Sequence, residues 1–138
     1  MKKLDIKGLI FLISFVSTVE VMLIFLGVLL PVLSYSIENL IFAFLRFSII
    51  IYSGIIAKEW KESAKNGAMV SFSGVIIICV AALLSNLYLK IPVLGLEIPN
   101  IESLILMLLV ILVQNVVLGI ICAILGHYVY KKLINRRT

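Results

Sequence analysis

The sequence predicts an all-α protein, a four-transmembrane-helix antiparallel bundle with both termini cytoplasmic. Three observations carry this. Hydrophobic residues make up 63% of the 138 residues and charged residues only 14%, against about 45–50% and about 25% in soluble domains. A chain this short has no interior large enough to hide that much apolar surface, so its solvent is lipid, in keeping with a mean hydropathy of +1.25. Four segments reach the roughly 20 apolar residues that a helix needs to cross the hydrocarbon core. Finally, the basic residues are distributed on one side only.

The four segments are about 9–33, 37–57, 67–89 and 103–129, and together they form one integral membrane domain. The first follows Met1-Lys2-Lys3 in the manner of a signal peptide. Its apolar stretch exceeds the usual 7–15 residues, however, and no small-x-small cleavage site ends it, so it reads as a retained helix. Pro31 weakens the end of that helix and Ser36 can cap the second across a tight turn. The connection between helices three and four is longer. Pro92, Gly95 and Pro99 break it, and Asn100 can cap helix four.

Lys and Arg orient the chain. Lys2, Lys3 and Lys7 precede helix one, Lys58, Lys61 and Lys65 separate helices two and three, and Lys131, Lys132, Arg136 and Arg137 follow helix four. All ten fall on one side, the cytoplasmic one by this rule, and only Lys90 falls on the other. The localisation expected is the cell membrane, multi-pass. The partner expected is the lipid bilayer, with room for a homo-oligomer or other membrane subunits and no nucleic acid, since insertion and contact with anionic headgroups account for the basic ends.

Within the apolar background, "FVSTVEVMLIF" carries Glu20 near the middle of helix one, and Arg46 falls near the middle of helix two. Either charge alone at the bilayer centre costs about 2.5–3.5 kcal/mol on insertion scales. Helices joined by a tight hairpin run antiparallel with their midpoints at one depth, so the two groups can meet, and the guanidinium gains an acceptor. Asn115 lies near the same depth on helix four, with Gln114 beside it. The expectation is an intramembrane polar layer of Glu20, Arg46, Asn115 and Gln114. It can register the helices, hold a small polar or ionic ligand, or face another chain.

Small residues mark the packing faces, as membrane helix interfaces favour. Ser17 and Gly27 share the Glu20 face, Gly54 lies on the Arg46 face, Gly67 and Gly74 lie on helix three, and Gly119 and Gly126 on helix four. Trp60 and the Tyr128/Tyr130 pair around His127 read as interface anchors. Cys79 and Cys122 lie in apolar runs and read as small buried residues. With one His and seven carboxylates, the chain offers no phosphate loop, no Ser/His/Asp set and no ligand cluster. The expectation is therefore no enzyme, no catalytic residue, no cofactor and no metal.

Residues 52–76, "YSGIIAKEWKESAKNGAMVSFSGVI", resemble a group of uncharacterised small four-helix integral membrane proteins of archaea and bacteria. In these a Gly-x-x-Ala-like turn, a short charged segment and an Asn/Gly-Gly-Ala opening join helices two and three. Gly119 and Gly126 look like that group's glycine near the end of helix four. The likeness implies topology and no known activity. Glu20-Val21 is also similar to the first helix of small multidrug transporters. The chain departs from that family in lacking its glycine and aromatic pattern, in placing Arg46 opposite the glutamate, and in its one-sided charge. The expected function is accordingly a structural or accessory membrane subunit, with a small transporter or channel built on the mid-membrane polar site as the alternative.

Overall fold

The computed structural model describes residues 5–34, 36–95 and 100–135. Among them are four long helices: α1 (Ile6–Phe25), α2 (Ile37–Ile55), α3 (Trp60–Leu84) and α4 (Ile101–Asn135). A 3₁₀ turn at Val32–Ser34 lies between α1 and α2, and a π-helical turn at Ser85–Leu89 extends α3. All four helices are long and apolar enough to cross a membrane. Lys2, Lys3, Arg136 and Arg137, used above to orient the chain, and Pro99, used to break the last connection, lie outside the described residues.

The chain runs up and down, with α1, α2, α4 and α3 in order around the bundle. Side-chain contacts fix the register of α3 against α4. Gly67 meets Gly119, Ser71 Oγ donates to the Asn115 carbonyl at 2.7 Å, and Cys79 Sγ lies 3.8 Å from the Leu108 carbonyl. These pairs advance along α3 as they retreat along α4, so the two helices are antiparallel. The start of α1, the α2–α3 link and the end of α4 therefore share one end of the bundle, the basic end, and Lys90 lies at the other.

Several helix boundaries have a local cause. Asp5 caps α1 by accepting from the Gly8 amide at 2.9 Å, Ser36 caps α2 through the Asn39 amide at 3.2 Å, and Asn100 Oδ1 accepts from the Glu102 amide at 3.0 Å. The first helix stops at Phe25, well short of residue 33. Gly27 adopts φ +71°, and the Val28 and Gly27 amides donate to the Leu23 and Ile24 carbonyls at 2.9 and 3.0 Å. These are the two bonds of a Schellman cap with glycine at its left-handed position. Beyond it, Asn39 Nδ2 donates to the Leu30 and Pro31 carbonyls at 3.1 and 2.8 Å, closing the α1–α2 connection. The third helix begins seven residues earlier than expected, because Trp60–Asn66 are adequate helix formers. The Glu62 carboxylate also accepts from the Lys58 backbone amide at 2.8 Å rather than pairing with the Lys58 ammonium.

Two apolar clusters are stacked along the bundle axis. Leu9, Ile13, Ile49, Ile50, Val70 and Ala123 fill the basic half. Val21, Ile24, Val75, Ile78, Ala82, Leu104 and Leu108, with Val93 and Leu94 from the connection, fill the other. On every helix the polar residues of interest lie at the join between them.

Two substitutions separate backbone conformation from packing. Gly27→Ala has open space for its Cβ but must hold a left-handed residue, a cost of about 1–2 kcal/mol. Gly54→Val puts its side chain into the Ala123 backbone and should reach the upper end of overpacking costs, about 3 kcal/mol. Denaturant titration in mixed micelles checks both, and equal losses would contradict the assignment.

Candidate functional site

Glu20 is wholly buried on the inner face of α1, with Ile13, Ser17 and Ile24 along the same face. Arg46, at the middle of α2, places guanidinium Nη1 on Glu20 Oε2 as a hydrogen-bonded ion pair. Because α1 ends at Phe25, Glu20 is its fifteenth residue of twenty, displaced from the helix centre by about 7 Å at 1.5 Å per residue. The pair forms nevertheless because the connection over residues 26–36 is long enough to bring the middle of α2 level with the last third of α1.

The pair is one-handed. Only one carboxylate oxygen engages the guanidinium, and among the described residues Glu20 Oε1 has no hydrogen-bond partner, nor does the buried Ser17 Oγ one turn earlier. The Arg46 side chain is 18% exposed whereas that of Glu20 is fully enclosed. The guanidinium therefore stands between the carboxylate and a cavity of about 190 Å³.

All four helices line this cavity. Its polar surface comes from Arg46, Ser71 and Asn115, and the rest is apolar, including Ile50, Ile78 and Ile111. Phe47 on α2 and Leu118 on α4 line it while remaining partly exposed, as does Asn115. The lining also reaches Val32, Leu33 and Leu94 of the connections at the end of the bundle opposite the basic one. Toward the basic half it reaches Ile13 and Ile50, and beyond them α2, α3 and α4 are in backbone contact. A Cβ at Gly54 would overlap the Ala123 carbonyl, one at Gly67 would lie 2.5 Å from the Gly119 carbonyl oxygen, and one at Gly126 would lie 2.5 Å from that of Ile51.

The expected polar layer is thus brought together in part. Glu20 and Arg46 pair, and Asn115 lines the cavity that Arg46 faces. However, the Asn115 amide donates to the Ile111 carbonyl of its own helix at 2.8 Å, and only its backbone carbonyl, through Ser71, ties α4 to α3. Gln114 is a correction. It is exposed on the outer side of α4, because one residue along a helix turns about 100° from Asn115. Gly27 is a second correction: with nothing within 4 Å of its position, it terminates α1 and packs against no helix.

The remaining small residues are interfacial. Gly54 and Gly126 join α2 to α4, and Gly67 and Gly119 join α3 to α4. Gly74 admits Ile13 and Ser17 of α1 against α3. Ser71 also lines the site. Its i, i+3 spacing to Gly74 and its level with Arg46 were the signals that could have placed it there. His127 is buried rather than lying in the aromatic belt, meeting Tyr128 edge to face at 6.3 Å, while Tyr128 and Tyr130 are exposed. Both cysteines are free thiols, and no set of metal-ligating side chains gathers among the described residues.

Comparison with protein-family models, curated proteins and solved structures found no match.

Removing one partner of a buried pair leaves the other charge uncompensated, at a cost of about 3–5 kcal/mol. Glu20→Gln should therefore destabilise the bundle more than the double change of Glu20→Gln with Arg46→Gln. Unfolding titrations of the single and double variants check this, and equal loss in both would count against the pair.

Proposed function

We propose that this is a non-enzymatic multi-pass protein of the cell membrane, a structural or accessory subunit, with both termini in the cytoplasm. The observation that carries the reading is the buried Glu20–Arg46 pair. The two charges in the centre of the bundle cancel each other and hold α1 to α2, and backbone-to-backbone packing of α2 and α3 on α4 closes the basic half below them. The orientation rests on the basic residues gathered at one end. The sequence of residues 52–76, which resembles that of small four-helix membrane proteins, supports the same topology. The outward apolar side chains of α4, among them Leu106, Leu109, Val113 and Ile121, suit acyl chains, a second copy or another membrane subunit. The absence from the sequence of a recognisable nucleophile and base pairing supports a role without catalysis.

A second reading, a small transporter or channel, is favoured by one specific observation: Arg46, Ser71 and Asn115 line a shared cavity at mid-membrane depth. The two readings differ in water access.

Single cysteines in a background lacking Cys79 and Cys122 test both points. For orientation, Lys61→Cys should react with a membrane-impermeant thiol reagent only from the cytoplasmic side, and Lys90→Cys only from the other. For water access, Ser17→Cys and Ala43→Cys should stay unlabelled from both sides. Labelling of Ala43→Cys would replace the structural reading with the transporter or channel, and reversed labelling at Lys61 and Lys90 would overturn the topology.

A further inference from the structure

The cavity has an apolar body and one cationic corner, and its hydrogen-bonding capacity is narrowly defined. Ser71 Oγ–H is committed to the Asn115 carbonyl and Asn115 Nδ2 to the Ile111 carbonyl. Asn115 Nδ2 keeps its second N–H, and the charged donors that face the space belong to Arg46. Its Nη1 serves Glu20, and no other described residue accepts from the rest of the guanidinium. A guanidinium presents parallel N–H groups that match both oxygens of a carboxylate, and only Nη1 meets Glu20, so Arg46, which lines the cavity, keeps N–H groups for a second acceptor.

Size and charge narrow the ligand further. A dry cavity of about 150 Å³ holds benzene, so about 190 Å³ accommodates a benzene-sized body with a carboxyl group attached. Glu20 and Arg46 already sum to zero, and an added anion would leave an uncompensated negative charge deep in lipid, which is costly. The other titratable groups within the bundle do not offset it. Cys79 on α3 gives its thiol to the Leu108 carbonyl. On α4, Cys122, His127 and Glu102 stand seven, twelve and thirteen residues from Asn115, about 10 Å or more along the helix.

We propose that this cavity binds a small lipid-soluble monocarboxylic acid, the size of benzoic acid, that enters in its neutral form: the Arg46 guanidinium turns from Glu20 to the ligand's carboxyl group, and the Glu20 carboxylate so uncovered takes the ligand's proton. The O–H bond of the acid breaks, an O–H bond forms on the Glu20 carboxylate, Arg46 exchanges one carboxylate partner for another, and the net charge of the site is unchanged. The buried carboxylate is then the proton acceptor of a binding site as well as a structural counter-ion, whether the chain serves as an accessory subunit or as a carrier.

The test is calorimetric titration of the protein in phosphatidylcholine nanodiscs with benzoic acid and with benzamide, between pH 5 and pH 7, against empty nanodiscs. Expected for the wild type is benzoate binding whose apparent affinity falls about tenfold per pH unit, since one proton is taken up with each anion, with benzamide binding at least tenfold weaker. In Glu20→Gln the affinity for benzoate should become independent of pH. Infrared spectra of the wild type with ¹³C-carboxyl benzoic acid keep the proposal testable if that variant does not fold: the bound ligand should show the carboxylate band, and an unlabelled protonated carboxyl band should appear. Absence of benzoate binding, equal binding of benzamide, a wild-type affinity flat with pH, the same slope in wild type and Glu20→Gln, or a bound ligand that keeps its protonated carbonyl band would each overturn it.

Discussion

A charge in the hydrocarbon phase must find its opposite within the protein, because the solvent supplies none. Among the described residues that constraint is met once, by Glu20 and Arg46, and much of the architecture follows from it. The pair fixes which faces of α1 and α2 look at each other and how far one is shifted along the other. Ile13, Ser17, Glu20 and Ile24 form the buried stripe of α1 because the carboxylate must be inside. The Schellman cap at Gly27 and the Asn39 bonds to the Leu30 and Pro31 carbonyls set the length of connection that lets Arg46 reach it.

Elsewhere the helices are held by proximity rather than by charge. Lipid tails are as apolar as the side chains, so burial alone does not drive one helix onto another, and close packing and hydrogen bonds do more of the work. Gly54 against Ala123 and Gly67 against Gly119 bring backbones together in the basic half, and Ser71 adds a hydrogen bond across the α3–α4 interface. Above that level lies the cavity that Arg46 lines. The bundle is closed where small residues meet and open where Arg46 needs room, and the two apolar clusters flank that transition.

The features legible in the sequence were those dictated by the bilayer. Four long apolar runs give four helices, and two isolated opposite charges on neighbouring helices give the pair. The departures come from local backbone chemistry that hydropathy does not register. The stretch after Phe25 is as apolar as the helix before it, so only Gly27 marked the end of α1, and a glycine in an apolar run reads equally as a packing position. Lys61, Glu62, Ser63, Lys65 and Asn66 keep the start of α3 out of the apolar run that hydropathy registers, although as residues they sustain a helix. Depth alone placed Gln114 with Asn115, yet helical rotation separates them. The cavity had no signature of its own, since its lining is drawn from all four helices and from the connections between them.

The central claim is that the Glu20 carboxylate and the Arg46 guanidinium are directly paired in the bilayer. Solid-state NMR of the protein in lipid, with ¹³C at Glu20 Cδ and ¹⁵N in the Arg46 guanidinium, measures their dipolar coupling. A coupling that corresponds to ion-pair contact, with the nitrogen within about 4 Å of a carboxylate oxygen, is the result expected. No measurable coupling in the folded protein would contradict the account.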